Sequence, residues 1–173
     1  MTTQQVLSLA IGIYLTLLIA AIYFTRATTR RLWGALAGGA AVAVVGVGVE
    51  ILGHALGFWR YPGVDTPYGP RLMYPLVVFM FALLSLIGWR ITRRFGWRGQ
   101  ALFLGAVTIL GTLRDYAVAG HMLNFIVFAP GMTTVLVDAA CWASTAALTL
   151  SVMRLVAGPA GGDRLAPRLR DAA

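Results

Sequence analysis

Five apolar runs, separated by short polar or Pro/Gly-rich stretches, set the pattern of this chain. A helix needs about 20 apolar residues to cross the hydrocarbon core of a bilayer. The runs near 6–24, 32–57, 72–89, 100–119 and 133–155 reach or approach that length. The pattern predicts an all-α, polytopic bundle of five transmembrane helices in a single domain, 1–156, followed by a disordered, Arg-rich tail over 157–173. Residues 58–71, with Pro62, Gly63, Pro67, Gly69 and Pro70, are punctuated too often for regular structure. The segment 121–131 is apolar but broken by Pro130, which suits an interfacial or re-entrant position.

Composition agrees with that pattern. At 59% hydrophobic and 12% charged over 173 residues, the chain is too apolar for an ordinary soluble domain. Its net charge of +8 points to an orientation rather than to nucleic acid, because the basic residues, all Arg, fall in clusters between apolar runs. Arg26, Arg30 and Arg31 follow the first run, and Arg90, Arg93, Arg94 and Arg98 follow the third. Arg154, Arg164, Arg168 and Arg170 close the chain, so eleven of the 14 basic residues sit in three segments. Five crossings put all three on one side, which predicts a multi-pass protein of the cell (inner) membrane, N-terminus outside and C-terminus cytoplasmic. The tail then meets anionic lipid headgroups. The first run lacks a preceding positive charge, so it is expected to be a retained span rather than a cleaved signal. The single cysteine, Cys141, rules out an intrachain disulfide or a Cys-rich metal site.

The stretch from Val49 to Pro62 carries the chemistry that stands out. Glu50 and His54 are four residues apart, so on a helix they share a face with Gly46, Gly53 and Gly57, a small-residue stripe that a neighbouring helix would approach closely. An ionisable residue inside a span is costly and is by default a functional candidate. The predicted topology gathers Glu50, His54, Arg114, Asp115 and Asp138 in the outer third of the membrane, with Arg60, Asp65, Arg71, His121 and Asn124 just above. Thr134, Asp138, Cys141 and Thr145 form a polar stripe at helical spacing in the fifth run. Three carboxylates against one arginine leave an excess of acid, which predicts that at least one stays protonated at neutral pH.

Two readings of that layer compete. In the first it is a catalytic site, with Glu50 as general acid, His54 positioning or recharging it, and Asp115 and Asp138 completing the set. Arg114, Trp59, Tyr61, Tyr116 and Trp142 then bind the substrate, the rings stabilising a cationic intermediate. In the second, Arg114 pairs with one of the carboxylates and locks the helices together, while Trp59 and Tyr61 belong to the interfacial aromatic belt. No cofactor is expected. A haem held by His54 and His121, or a metal held by His54, Glu50, Asp115 and Asp138, is a further alternative without a recognisable motif spacing. There is no zinc-protease motif, glycine-rich phosphate loop or serine elbow.

The run Glu50-x-x-Gly53-x-x-x-Gly57-x-Trp59-x-Tyr61 resembles the acid, glycine and aromatic pattern of small polytopic carotenoid-pathway proteins, the lycopene-cyclase-like and carotenoid-hydratase membrane families. The resemblance spans about a dozen residues and implies a helical membrane protein that protonates a double bond of a long isoprenoid, with Glu50 as the acid. The expectation is therefore an integral membrane protein with an outer-leaflet polar pocket for an apolar lipid or isoprenoid, modified by acid catalysis. The rival from another class is a non-enzymatic protein, either a small transporter or a subunit of a homo-oligomer or larger membrane complex.

Overall fold

The computed structural model of the chain describes residues 3–64 and 66–159, so the predicted tail falls almost wholly outside the described residues. Helix accounts for 81% of the structure, which bears out the all-α class. Four helical segments are long and apolar enough to cross a membrane, judged by length and composition: Thr3–Thr25, Thr29–Ala55, Met73–Met122 and Met132–Ala157. Their outward faces carry Leu9, Ile13, Ile19, Val44, Leu102, Ile109 and Leu136 in the open. Contiguous apolar surface of that kind suits lipid and not water.

Helix α1 (Thr3–Thr25) packs mainly on α3 (Met73–Arg114), and α2 (Thr29–Ala55) packs against both α3 and α4 (Met132–Ala157). Thr28 caps the start of α2, its side chain accepting from the Arg31 backbone N–H. Helix α3 differs most from the expected pattern. The polar stretch 90–98 was predicted as a link between two spans, yet Arg90, Arg93 and Arg94 lie on the helix itself. A straight helix of 42 residues would be about 63 Å long, twice a bilayer core. It is not straight, because Gly96 adopts φ 64° and ψ −150°, a conformation that only glycine tolerates without strain.

The two arms of α3 fold back on one another at that residue. A side chain at Gly88 would meet the Phe103 ring and Leu150. On an unbroken helix, residues 88 and 103 would stand about 22 Å apart. Trp142 of α4 likewise stacks on Phe81 from the first arm, with ring centroids at 5.7 Å, and covers Gly111 on the second. Val42, Met80, Phe81, Phe103, Val107, Trp142, Ala146 and Leu150 form one buried cluster that joins these elements. Near it the buried Ser85 and Thr149 hydroxyls share a hydrogen bond of 2.6 Å between α3 and α4. That polar contact is satisfied from within, as a buried hydroxyl pair must be.

After α3 the backbone continues as a π-helix, Asp115–Met122, ending with the Leu123 N–H bonded to the Val118 carbonyl five residues back. The apolar segment beyond it turns back to meet the first loop. Its strand β2 (Val127–Phe128) pairs antiparallel with β1 (Trp59–Arg60), Trp59 opposite Phe128 and Arg60 opposite Val127. A further bond runs from the Ala129 N–H to the Phe58 carbonyl at 2.8 Å. This ribbon ties the two Pro/Gly-rich loops into one cap over one end of the bundle. The cap carries its own small core of Trp59, Tyr61 and Met73, packed with Phe58, Phe125, Ile126 and Phe128.

The glycine stripe of α2 is used differently from its expected role. No neighbouring helix approaches Gly46 or Gly57, where an added Cβ would meet open space. Gly53 is instead covered by the indole of Trp59, a loop residue. Close helix approach occurs nearer the start of α2, where Gly38 faces Thr149 of α4 and Gly39 faces the Val78 backbone of α3.

Candidate functional site

Beneath the two-stranded cap the three carboxylates of the helical region converge from three elements. Glu50 comes from the last turns of α2, Asp115 from the start of the π-helix and Asp138 from the second turn of α4. Asp115 is near enough to interact electrostatically with both Glu50 and Asp138. Around them stand Tyr61 from the cap, Tyr74 and Thr112 from the two arms of α3, Tyr116 from the π-helix, and Cys141 and Trp142 from α4. Asp138 is only 6% exposed.

The three acids are not equivalent. Both oxygens of Asp115 are bonded: Arg114 Nη1 donates to Oδ1 at 2.7 Å, and Trp142 Nε1 donates to Oδ2 at 2.8 Å. Arg114 and Asp115 are adjacent in sequence, and neighbouring positions on an α-helix point in different directions. They meet here where the helix widens into its π-turns, a distortion common at functional sites. The pair is local. The contact that crosses between helices is the one from Trp142.

Glu50 and Asp138 are each left with an unsatisfied oxygen. The Tyr61 hydroxyl, buried in the cap, donates to Glu50, while Glu50 Oε2 is buried without a partner. Burial, and after it the Glu50 carboxylate, pushes the Tyr61 phenol well above its ordinary pKa, so it remains a donor. Asp138 Oδ2 is also buried without a bond, as is Thr112 Oγ1. Trp59 Nε1, Tyr74 Oη and Tyr116 Oη are buried and unpartnered as well. Of seven such atoms among the described residues, six belong to this layer. Each costs on the order of 1–3 kcal/mol relative to a bonded group.

The aromatic residues named from sequence line this layer and its cap. Tyr116 stacks on Phe128 with centroids 4.3 Å apart, and Tyr61 meets Phe125 edge to face at 5.5 Å. Trp142 stacks on Phe81 below the acids. His54 is placed differently. It is exposed at the end of α2 and lines a surface groove with Gly57, Trp59, Arg60, Phe128 and Pro130. His121 is exposed on the π-helix. A second groove at this end is lined by Tyr116, Asn124, Phe128 and Met132, among others, and neither groove is lined by Glu50, Asp115 or Asp138.

Among the described residues no group of three or more His, Cys, Asp and Glu side chains is arranged to hold a metal ion. The acids converge with hydroxyl, phenol and indole groups around them. Tyr74 stands out in the sequence only as one of the few polar residues of a run that reads as scaffold, and Thr112 does not stand out at all: Tyr74 opens α3 beside the cap, and Thr112 stands three residues before Asp115. No protein-family model matches this chain, and neither a curated protein nor a solved structure matches it.

Proposed function

We propose that the chain is a five-span integral membrane protein, N-terminus outside and C-terminus cytoplasmic, whose carboxylate layer serves as a buried acid toward an apolar lipid or isoprenoid. The break at Gly96 supports five spans, since it divides α3 into two antiparallel arms of roughly bilayer length. The arginine clusters support the orientation. The observation that carries the chemical reading is the pair of orphaned carboxylate oxygens, Glu50 Oε2 and Asp138 Oδ2, beside an arginine already engaged by Asp115.

In this reading Glu50, held by the Tyr61 hydroxyl, gives its proton to an alkene carbon of the substrate. The Tyr61, Tyr116 and Trp142 rings face the resulting cation. Asp138, as the carboxylate, takes a proton from a carbon next to the cationic centre, which re-forms the double bond in a new position, and then releases that proton to water, so the step is redox-neutral and needs no oxidant. Exposed His54, one turn beyond Glu50, resupplies the acid from the aqueous side. Asp115 has a separate role. With both oxygens bonded to Arg114 and Trp142, it is the residue to which the locking reading applies.

The test is gentle purification, mass spectrometry of co-purifying apolar molecules, and incubation with acyclic polyenes. A bound isoprenoid or lipid is expected, with turnover that Glu50→Gln abolishes while the Tm stays near that of the parent. Normal turnover in both Glu50→Gln and Asp138→Asn would remove the acid role. An empty protein that arrives with a stoichiometric protein partner would favour a structural subunit, and Glu50-dependent flux in liposomes would favour a transporter.

A further inference from the structure

The ribbon of β1 and β2 separates two grooves of different character, and Val127 and Phe128 of β2 line both. On one side His54 and Arg60 give the groove an imidazole and a guanidinium. On the other, a groove of about 560 Å³ lies between β2, the π-helix and the start of α4. Among the described residues no charged group lines it. Its walls include Ile126, Met132 and Val135, and Gly120 adds no side chain from the π-helix. The volume falls in the range of ~300–1,000 Å³ usual for small-molecule pockets.

This groove has an apolar way out and a polar neighbour within. Met132 lines it, and Leu136, one turn further along α4, continues the same face. They are 70% and 62% exposed, so the groove opens onto the outward apolar surface of the helix. Inward, Tyr116 belongs to both compartments. It lines the groove and stacks on Phe128 with the rings 16° apart. Its hydroxyl is buried without a partner, near enough to Asp138 and Asp115 to interact electrostatically.

The neutral lining selects the occupant. A phosphorylated headgroup would find its counter-charge across the ribbon, at Arg60, and not here. Resting on the acid reading above, we propose that the groove binds the apolar chain of the substrate, an acyclic unsaturated hydrocarbon drawn from the bilayer, with the Tyr116 ring as the wall shared with the acid layer. The part of the chain that lies against Tyr116 is then the part nearest Asp138.

The test uses the full chain in phosphatidylcholine nanodiscs loaded with squalene, an acyclic polyene, and native mass spectrometry counts the squalene that the protein retains on release from the discs. Val135→Trp fills the groove and lowers retention about tenfold, with Val135→Phe intermediate. Leu136→Trp, at the next residue but outside the groove, leaves it unchanged. Tyr116→Leu removes the ring wall and weakens retention severalfold, whereas Tyr116→Phe keeps the ring and retains squalene as the parent does. Circular dichroism of each variant shows that the helices are kept, and Val135→Phe carries the test if the larger ring disturbs them.

Absence of squalene in the parent would overturn the proposal. Equal retention in Val135→Trp and Leu136→Trp would do so too, because it would reduce binding to general contact with the lipid-facing surface. Polyene turnover, measured alongside, separates this proposal from the acid reading. Retention indifferent to Val135→Trp while Glu50→Gln still abolishes turnover overturns the groove and leaves the acid. Retention lost in Val135→Trp while turnover is indifferent to Glu50→Gln and Asp138→Asn supports the groove and removes the acid.

Discussion

At one end of the bundle Glu50, Asp115 and Asp138 crowd beside a single arginine, while at the other the arginines gather around a cleft. The contrast lies in how far each side chain reaches. Arg30 and Arg90 extend to the Val156 and Phe24 carbonyls, which lie at the C-terminal ends of α4 and α1, where a cation satisfies free carbonyls and complements the helix dipole. Short carboxylates on neighbouring helices have no such recourse. Their partners must be brought to them by the Tyr61 loop, the π-turns and Trp142. Where that supply falls short, at Glu50 and Asp138, the shortfall marks the candidate site.

The largest expected effect sharpens this contrast at the acid end. Trp142→Ala removes the stack on Phe81, the cover over Gly111 and the donor to Asp115 together. A loss of about 3–5 kcal/mol is expected in denaturant unfolding, as for a large aromatic deleted from a core. A loss below about 1 kcal/mol, no more than a loosely packed surface residue would give, would mean that this end is not held by the indole.

The middle of the bundle gives an intermediate effect. Ser85→Ala leaves the Thr149 hydroxyl only its long 3.5 Å bond to the Phe81 carbonyl and is expected to cost about 1–3 kcal/mol, whereas Ser85→Ala combined with Thr149→Val is expected to recover most of that loss. The coupling read from the double-mutant cycle is the check, and additive losses would show that the pair is not the linking contact. The smallest effect belongs to the arginine end. Arg90→Gln loses a partly solvated cap on the Phe24 carbonyl and is expected to lower stability by about 0.3–1 kcal/mol in the same unfolding assay.

The helices and their arginine-rich turns were legible in the sequence because length and hydropathy decide them locally. The reversal inside α3 was legible only as a basic stretch. One glycine at an unusual φ,ψ makes the turn, so the arginines on either side remain helical, and those before it, Arg90, Arg93 and Arg94, line the cleft. The layer of Glu50, Asp115 and Asp138 could be anticipated from position along successive helices. Which of them is satisfied could not, because that depends on Trp142 and Arg114 reaching the same residue. Gly53 shows the same limit: its small size signals a close neighbour, but only the fold reveals that the neighbour is Trp59. Tyr74 and Thr112 could not be tied to the site from sequence because single hydroxyls are ordinary within spans, and their place in it comes from what surrounds them.

The division of labour among the three acids is tested most directly by thermal unfolding of Asp115→Ala, Glu50→Gln and Asp138→Asn, purified in the same detergent. Asp115→Ala should lose about 1–3 kcal/mol, since it strands the buried Trp142 N–H and frees the half-exposed Arg114. Glu50→Gln and Asp138→Asn should stay within about 0.5 kcal/mol of the parent, because each keeps its size and gives up an oxygen that has no partner. Equal destabilisation by all three would contradict the account and make the whole layer a helix lock.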